Sequence, residues 1–228
     1  MIDKTVPTLE AAVADIADGS TVLIGGFGPA GVPLALLDAL LAQGARELTV
    51  VSNHAGNGDT GLAALLAAGR VGKIVCSYPR HKDSYVFDRL FKAGRIELEL
   101  VPQGTLAERM RAAGAGVAAF YTPTAYGTEL ARGKETRIIG GRGYVLEHAL
   151  PGDVALVLAD RADRWGNLCY RKAARNFGPV MAMAAKRTIA QVREIVPLGT
   201  LDPEAVATPG IFVARVVQAG AERARQAA

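Results

Sequence analysis

The side chains and backbone best equipped for chemistry fall in a few short stretches. The first is Gly25-Gly26-Phe27-Gly28-Pro29-Ala30-Gly31, directly after the apolar run Thr21-Val22-Leu23-Ile24. Gly26, Gly28 and Gly31 satisfy G-x-G-x-x-G, a pattern whose glycines permit positive φ and let a ligand approach the backbone. A helix following such a turn points free N–H groups and its positive dipole end at the bend, which favours a phosphate, carboxylate or oxyanion. The second group sits where two other apolar runs end: Asn53, followed by Asn57, and then Gln103-Gly104. α/β sheets place ligands at such strand ends. Two basic groups complete the set: Arg80-His81-Lys82, and the denser cluster Arg171, Lys172, Arg175 and Asn176. Either could meet an acidic substrate; a solvated loop, a partner contact or bracing of the fold would use the same residues.

The glycine pattern has two simpler readings. Dinucleotide binding requires an acid near the tip of the second strand to hold the ribose hydroxyls. That tip reads Ser52-Asn53-His54, and Gly25, Pro29 and Pro33 also fit the fingerprint poorly. The other reading is a tight turn that holds no ligand. Phe27 either packs beside a ligand or fills the core. Gln103 and Gly104 could simply form a turn, with Thr105 capping the next helix and Glu108 three residues on.

The elements that must position these residues alternate along the chain. "TLEAAVADIA" reads as a short amphipathic helix. Strands at "TVLIGG", "ELTVVSN", "KIVCSY" and "IELELVPQG" alternate with helices at "VPLALLDALLAQGA", "TGLAALLAAGRVG", "DSYVFDRLFKAG" and "TLAERMRAAGAG". Pro33 and Gly44 punctuate the first of those four helices. The alternation predicts an α/β fold: a largely parallel sheet with helices on both faces. Residues 117–145 break the pattern with many Gly, Thr and Tyr, which predicts a small β-rich layer of short antiparallel strands. "DVALVLADRADRWGNLCYR" reads as two strands joined by a turn at Asp163–Asn167, "GPVMAMAAK" as a small-residue helix, "RTIAQVREIV" as a strand or two, "PGIFVARVV" as a late strand and "QAGAERARQAA" as a loose helical end. No linker is evident, so residues 1–228 are expected to form a single domain.

Composition narrows the function classes. Of 228 residues half are apolar and 21% are charged, with a formal net charge of +4. Lys and Arg are scattered rather than run together, which argues against a nucleic-acid footprint. Cys76 and Cys169 are the only cysteines, lie far apart and make no C-x-x-C, which favours a reducing compartment over a disulfide scaffold. There is no signal-peptide pattern and no apolar run of membrane-spanning length, so a cytoplasmic location is expected and no membrane partner. No metal-ligand spacing, G-x-S-x-G or catalytic-cysteine context is present, and no metal is expected.

The stretch "DGSTVLIGGFGPAGVP" resembles the signature of class I CoA-transferase α subunits. "SNHAGNGDTGLAALL", "VPQGTLAERMRAAGAG", "FYTPTAYGT", "DRWGNLCYRKAARNFGPVMAMAA" and "LDPEAVATPGIFVARVV" resemble stretches of the same family in the same order. The resemblance therefore spans essentially the whole chain. Within the family, "SYPRHKDSYVF" and "DRWGNLCYRKAARNFGPVMAMAAK" look most like the branch acting on 3-oxoadipate, with the succinyl-CoA:3-oxoacid branch close behind. Two departures stand out: Ala125 where the family often has Gly in "PTAYGT", and His54 where it often has Asn. Ala125 argues against a positive φ at that position, or implies a small local adjustment.

The resemblance implies a CoA-transferase/NagB-like fold and transfer of CoA from succinyl-CoA to a 3-oxoacid. A glutamate attacks the thioester to give an acyl-glutamyl anhydride, and the freed thiolate returns to give an enzyme–CoA thioester. The family carries that glutamate in a Ser-Glu-Asn-Gly-like motif on the β subunit. No glutamate of this chain follows Ser or precedes Asn-Gly. The resemblance thus implies no catalytic nucleophile here, a β partner in an αβ or α2β2 assembly, and no tightly bound cofactor. Coenzyme A is a substrate-carried group, and Gly25 to Gly31 is its candidate binding element. Asn53, Gln103, Gly104, Arg175 and Asn176 are candidate substrate or partner contacts. Three other readings stay open: a nucleotide-dependent oxidoreductase, a sugar-phosphate isomerase-like domain, and a non-enzymatic acyl-CoA-binding subunit.

Overall fold

Parallel strands buried on both faces need apolar residues at successive positions, and the chain supplies them at β1 (Thr21–Ile24), β2 (Leu48–Val51) and β3 (Val71–Cys76). A computed structural model describes residues 2–80 and 82–219; the expected helical end at 218–228 lies largely outside them, as does His81. β1, β2, β3 and β4 (Glu97–Leu100) pair in parallel on one side. On the other side of β1 come β8 (Gly152–Asp163), β10 (Ala185–Val196) and β11 (Arg215–Gln218), so the order is β11-β10-β8-β1-β2-β3-β4. β9 (Leu168–Cys169) pairs antiparallel with β8 across the expected turn at Asp163–Asn167. That turn is held by Asp163, whose Oδ1 accepts from the N–H of Trp165 at 2.9 Å and of Asn167 at 3.1 Å.

Helices cover both faces. Val22 and Ile24 face a core shared with α1 (Leu9–Val13), α2 (Leu34–Gln43), α3 (Leu62–Ala67) and α4 (Tyr85–Lys92). Leu23, one residue out of phase, faces the second core with α5 (Gln103–Gly114) and α6 (Gly178–Ala184). "RTIAQVREIV" is part of one unbroken strand, β10. The β-rich layer is present as an antiparallel sheet of β5 (Ala119–Thr122), β6 (Thr136–Ile139) and β7 (Arg142–His148) in the order β5-β7-β6. Arg109 of α5 ties this layer down, donating from Nε to the His148 carbonyl at 2.8 Å while its Nη1 meets Glu99 of β4 at 2.7 Å.

Three local expectations are corrected. Thr105 does not cap a helix: α5 begins two residues earlier at Gln103, after the extended Pro102, and Thr105 is buried in its first turn. Ala125 does take a positive φ, +70°, inside a turn closed by Tyr126 N–H to the Pro123 carbonyl. The turn imposes a conformation that a methyl group tolerates at a cost of about 1 kcal/mol. The first helix is also shorter than expected, ending at Val13, although Thr8 caps it as a hydroxyl should by accepting from the Ala11 N–H.

Asp15, just past α1, pins the far edge of the sheet. Its carboxylate pairs with both Nη atoms of Arg215 on β11, at 2.7 and 2.8 Å, and with Arg187 on β10. The Arg215 hydrogen bonds, with Arg187 in support, hold the Asp15 carboxyl down at about 2. A carboxyl depressed by folding stabilises the native state above its unfolded value and loses that contribution as pH falls towards its folded value. Asp15→Asn is therefore expected to lower stability at pH 7 by no more than about 1 kcal/mol, because the pair is half exposed. Denaturant melts of parent and variant should converge between about pH 4 and pH 2; a constant gap across that range would show that the carboxylate's charge is not what ties the helix to the edge.

Candidate functional site

The chain between β1 and α2 does not run straight from strand to helix. Gly25 extends the pairing with β8, donating to the Leu156 carbonyl at 2.9 Å. Phe27 and Ala30 then exchange two backbone hydrogen bonds, 2.9 and 3.1 Å, closing a hairpin bend with Gly28 and Pro29 at its tip. Gly28 has φ +56°, which matches the first central position of a II′ turn, and the fixed φ of proline suits the second. α2 starts only at Leu34, and the N–H of Leu36 in its first turn donates to the Gln191 side chain of β10 at 3.3 Å. The expectation that α2 aims its free N–H groups into the bend is thus corrected: the bend stands apart from the helix.

Asn176 holds this bend. Its Oδ1 accepts from the Gly26 N–H at 3.2 Å and its Nδ2 donates to the Ala30 carbonyl at 2.9 Å, so one amide grips both limbs. The same side chain accepts from the Phe177 N–H at 2.6 Å and donates to the Ala173 carbonyl at 2.8 Å. Gly31 makes this closeness possible. A Cβ there would lie 2.6 Å from the Ala174 carbonyl oxygen and 2.8 Å from Asn176 Nδ2. At Gly28 a Cβ would meet nothing within 4 Å. Gly31 is required by packing, whereas Gly28 lies at an open tip. The N–H groups of Gly28 and Gly31 have no acceptor among the described residues. Phe27 is 50% exposed, which rules out the core-filling reading.

His54, in the loop after β2, braces the bend. The Gly56 N–H donates to its Nδ1 at 2.9 Å, so that nitrogen is the acceptor and Nε2 carries the proton, 3.1 Å from the Gly28 carbonyl. Beneath lies a cleft of about 160 Å³, walled by Gly28, Pro29 and Val32 on one side and His54, Asn57 and Thr60 on the other. No carboxylate lines it.

The strand-end residues converge beside it. Gln103, the first residue of α5, donates from Nε2 to Asn53 Oδ1 at 2.7 Å, and Ser77 donates to the same oxygen at 2.8 Å. Asn53, which follows β2 and is only 5% exposed, is thereby fixed by residues following β3 and β4. Sequence reasoning named Asn53 and Gln103 but missed Ser77, whose place directly after β3 was the available signal. Gly104 is exposed on α5 and does not join the cluster. Asn57 accepts from Ser84 at 3.1 Å, bracing the loop above the cleft. Arg80 is engaged by Asp88 at 2.6 Å and lies over the Phe91 ring, so the solvated-loop reading suits it best. Arg175 is exposed at the end of the 3₁₀ turn Lys172–Arg175. Both cysteines are buried, and burial pushes the Cys76 thiol up to about 12 and also raises that of Cys169.

Asn176→Asp keeps the acceptor oxygens but removes both donated bonds and sets a carboxylate against two carbonyls. It is expected to cost roughly 2 kcal/mol and to lower Tm measurably. An unchanged melting midpoint would mean that this amide does not hold the bend.

Comparison with known proteins agrees with the geometry. Residues 6–219 match the family model for coenzyme A transferase. The chain is 65% identical to the A subunit of 3-oxoadipate CoA-transferase from Pseudomonas putida, covering 95% of this chain and 94% of that one. It is 49% identical to the A subunit of a probable succinyl-CoA:3-ketoacid coenzyme A transferase from Bacillus subtilis, covering 97% and 92%. In fold it is similar to the crystal structure of glutaconate coenzyme A-transferase from Acidaminococcus fermentans, with a TM-score of 0.83 over 95% of this chain and 76% of that one, at 24% identity. The bend, its amide clamp and the parallel sheet that carries them are those of a chain that belongs to the coenzyme A transferase family.

Proposed function

We propose that this chain is the A subunit of a heteromeric CoA-transferase that moves CoA from succinyl-CoA to 3-oxoadipate. The two relatives just described carry those substrates in their names, and the higher identity is to the 3-oxoadipate enzyme. Acetoacetate-type 3-oxoacids are the second reading, favoured by the B. subtilis relative. One observation carries the functional reading: a carboxylate-free cleft meets a bend whose tip residue, Gly28, has an N–H with no acceptor among the described residues. Such a site stabilises negative charge and supplies no nucleophile.

In this reading a glutamate from the β partner attacks the thioester carbonyl. The carbonyl electrons move onto oxygen, and the Gly28 N–H at the tip of the bend receives that oxyanion without needing to reorganise. Collapse of the intermediate expels CoA thiolate and leaves an acyl-glutamyl anhydride. The thiolate then attacks the glutamyl carbonyl, releasing the carboxylic acid and forming the enzyme–CoA thioester. The acceptor carboxylate repeats the sequence in reverse. Gly25 to Gly31 carry the thioester end of CoA, while Asn53 and Gln103 orient the acid from the strand ends. Asn176 acts through the bend. Arg175 faces outward, where the β subunit of an αβ or α2β2 assembly would meet it.

The same reading treats residues 1–228 as one domain in the cytoplasm. Both cysteines are free, and among the described residues no helix is long and apolar enough to cross a membrane.

Co-expression with a chain containing Ser-Glu-Asn-Gly is expected to yield succinyl-CoA:3-oxoadipate transfer that this chain alone lacks. Gly28→Val strains a backbone held at φ +56°, although its Cβ would meet nothing within 4 Å; in the assembled two-subunit enzyme it should lower kcat/KM by at least roughly a hundredfold through loss of oxyanion contact. Normal turnover by an assembled Gly28→Val enzyme would sink the reading.

A further inference from the structure

A second cleft lies on the other side of the bend, and the site described above makes no use of it. The sheet order reverses between β1 and β8: the chain steps from β1 outward to β4, then crosses back to β8 and continues outward to β11. Open α/β sheets bind ligands at such a reversal, beyond the carboxyl ends of the strands. Here β1 ends at Ile24, opposite Leu156, whereas β8 and β10 run on together, pairing Ala159 with Val192. Their overhang forms the floor of a cleft of about 360 Å³, walled by Ala30 and Gly31 of the bend and by residues 171–174.

The chemistry of this cleft is specific. Its floor and near wall are apolar, from Leu158, Ala159, Ala173 and Ala174. Its charged groups are Arg171, Lys172, Arg193 and Asp160. Asp160 is taken by Arg193 at 2.8 Å, and Arg193 also reaches Glu194 at 3.2 Å. Arg171 and Lys172 have no acidic partner among the described residues. Lys172 also holds φ +49°, a left-handed conformation that is strained in a lysine, and such outliers concentrate where a side chain must be aimed. Two unpaired cations above an apolar floor, next to the unbonded N–H of Gly31, match a short carbon chain ending in a carboxylate.

We propose that this cleft receives the distal carboxylate of a dicarboxylic acyl group, with Arg171 and Lys172 as its counter-charges and Leu158, Ala159 and Ala174 against its methylenes. The inference rests on the reading that the bend holds the reacting carbonyl of that acyl group. It makes Arg171 and Lys172 determinants of substrate choice. Neither is needed for the chemical steps themselves.

The test uses the co-expressed two-subunit enzyme and one donor, succinyl-CoA, with two acceptors of equal length: 3-oxoadipate and 3-oxohexanoate, which lacks only the distal carboxylate. Any effect on the donor half-reaction cancels in the ratio of the two kcat/KM values. The parent enzyme is expected to prefer 3-oxoadipate by at least about tenfold. Arg171→Gln and Lys172→Asn, the latter chosen because Asn accepts positive φ, should each erase most of that preference by raising KM for 3-oxoadipate, with 3-oxohexanoate within about twofold of the parent. Arg171→Lys should recover part of the loss, which a purely structural role would not give. Equal losses on both acids would place the cations on the CoA phosphates or the β partner and overturn the proposal, as would an unchanged ratio in an active enzyme. A parent enzyme that transfers CoA to neither acid would instead remove the functional reading, and this inference with it.

Discussion

One side-chain amide governs the geometry of the active face. Asn176 reaches back across 150 residues of sequence to bond both limbs of the bend that follows the first strand. Its four polar contacts are all to backbone, so it acts as a clamp, and the shape of the loop depends on it. An amide suits the task because it carries a donor and an acceptor on one rigid plane. The clamp requires Gly31, since any side chain there would collide with the 3₁₀ turn that carries Asn176. Loop, clamp and glycine form one unit, and each is meaningless without the other two.

The sheet decides what the clamp can reach. β1 lies at the reversal of strand order, with β2 on one side and β8 on the other. The bend therefore rises between two crevices. One is walled by the β2 loop, with His54 and Asn57 and no carboxylate. The other is floored by the overhang of β8 and β10 and rimmed by cations. Neutral N–H donors at the bend and full charges further off suit a reaction whose developing charge sits at the carbonyl and whose substrates carry a remote carboxylate.

Electrostatics elsewhere follows a plainer rule. Asp15 pairs with Arg187 and Arg215, Glu99 with Arg109 and Lys73, and buried Glu147 with Lys134 at 2.6 Å. These pairs join elements: α1 to the sheet edge, α5 to β4, the small antiparallel layer to itself. They hold the scaffold on which the bend is mounted.

Much of this was legible in the residues themselves. Alternating apolar runs and helical stripes determined a parallel sheet covered on both faces, because period 2 and period 3.6 leave different marks. The Gly/Thr/Tyr-rich segment marked a separate β layer. The G-x-G-x-x-G spacing was visible too, but its meaning was not. Only the folded chain showed that Gly28 and Gly31 serve opposite needs, that α2 stands clear of the bend, that Thr105 is buried, and that Ser77, Asn53 and Gln103 share one oxygen. Periodicity is local and is written residue by residue. Which strand tips meet, and which side chain from residue 176 finds residue 26, depends on strand order and long-range packing, which no local window of sequence contains.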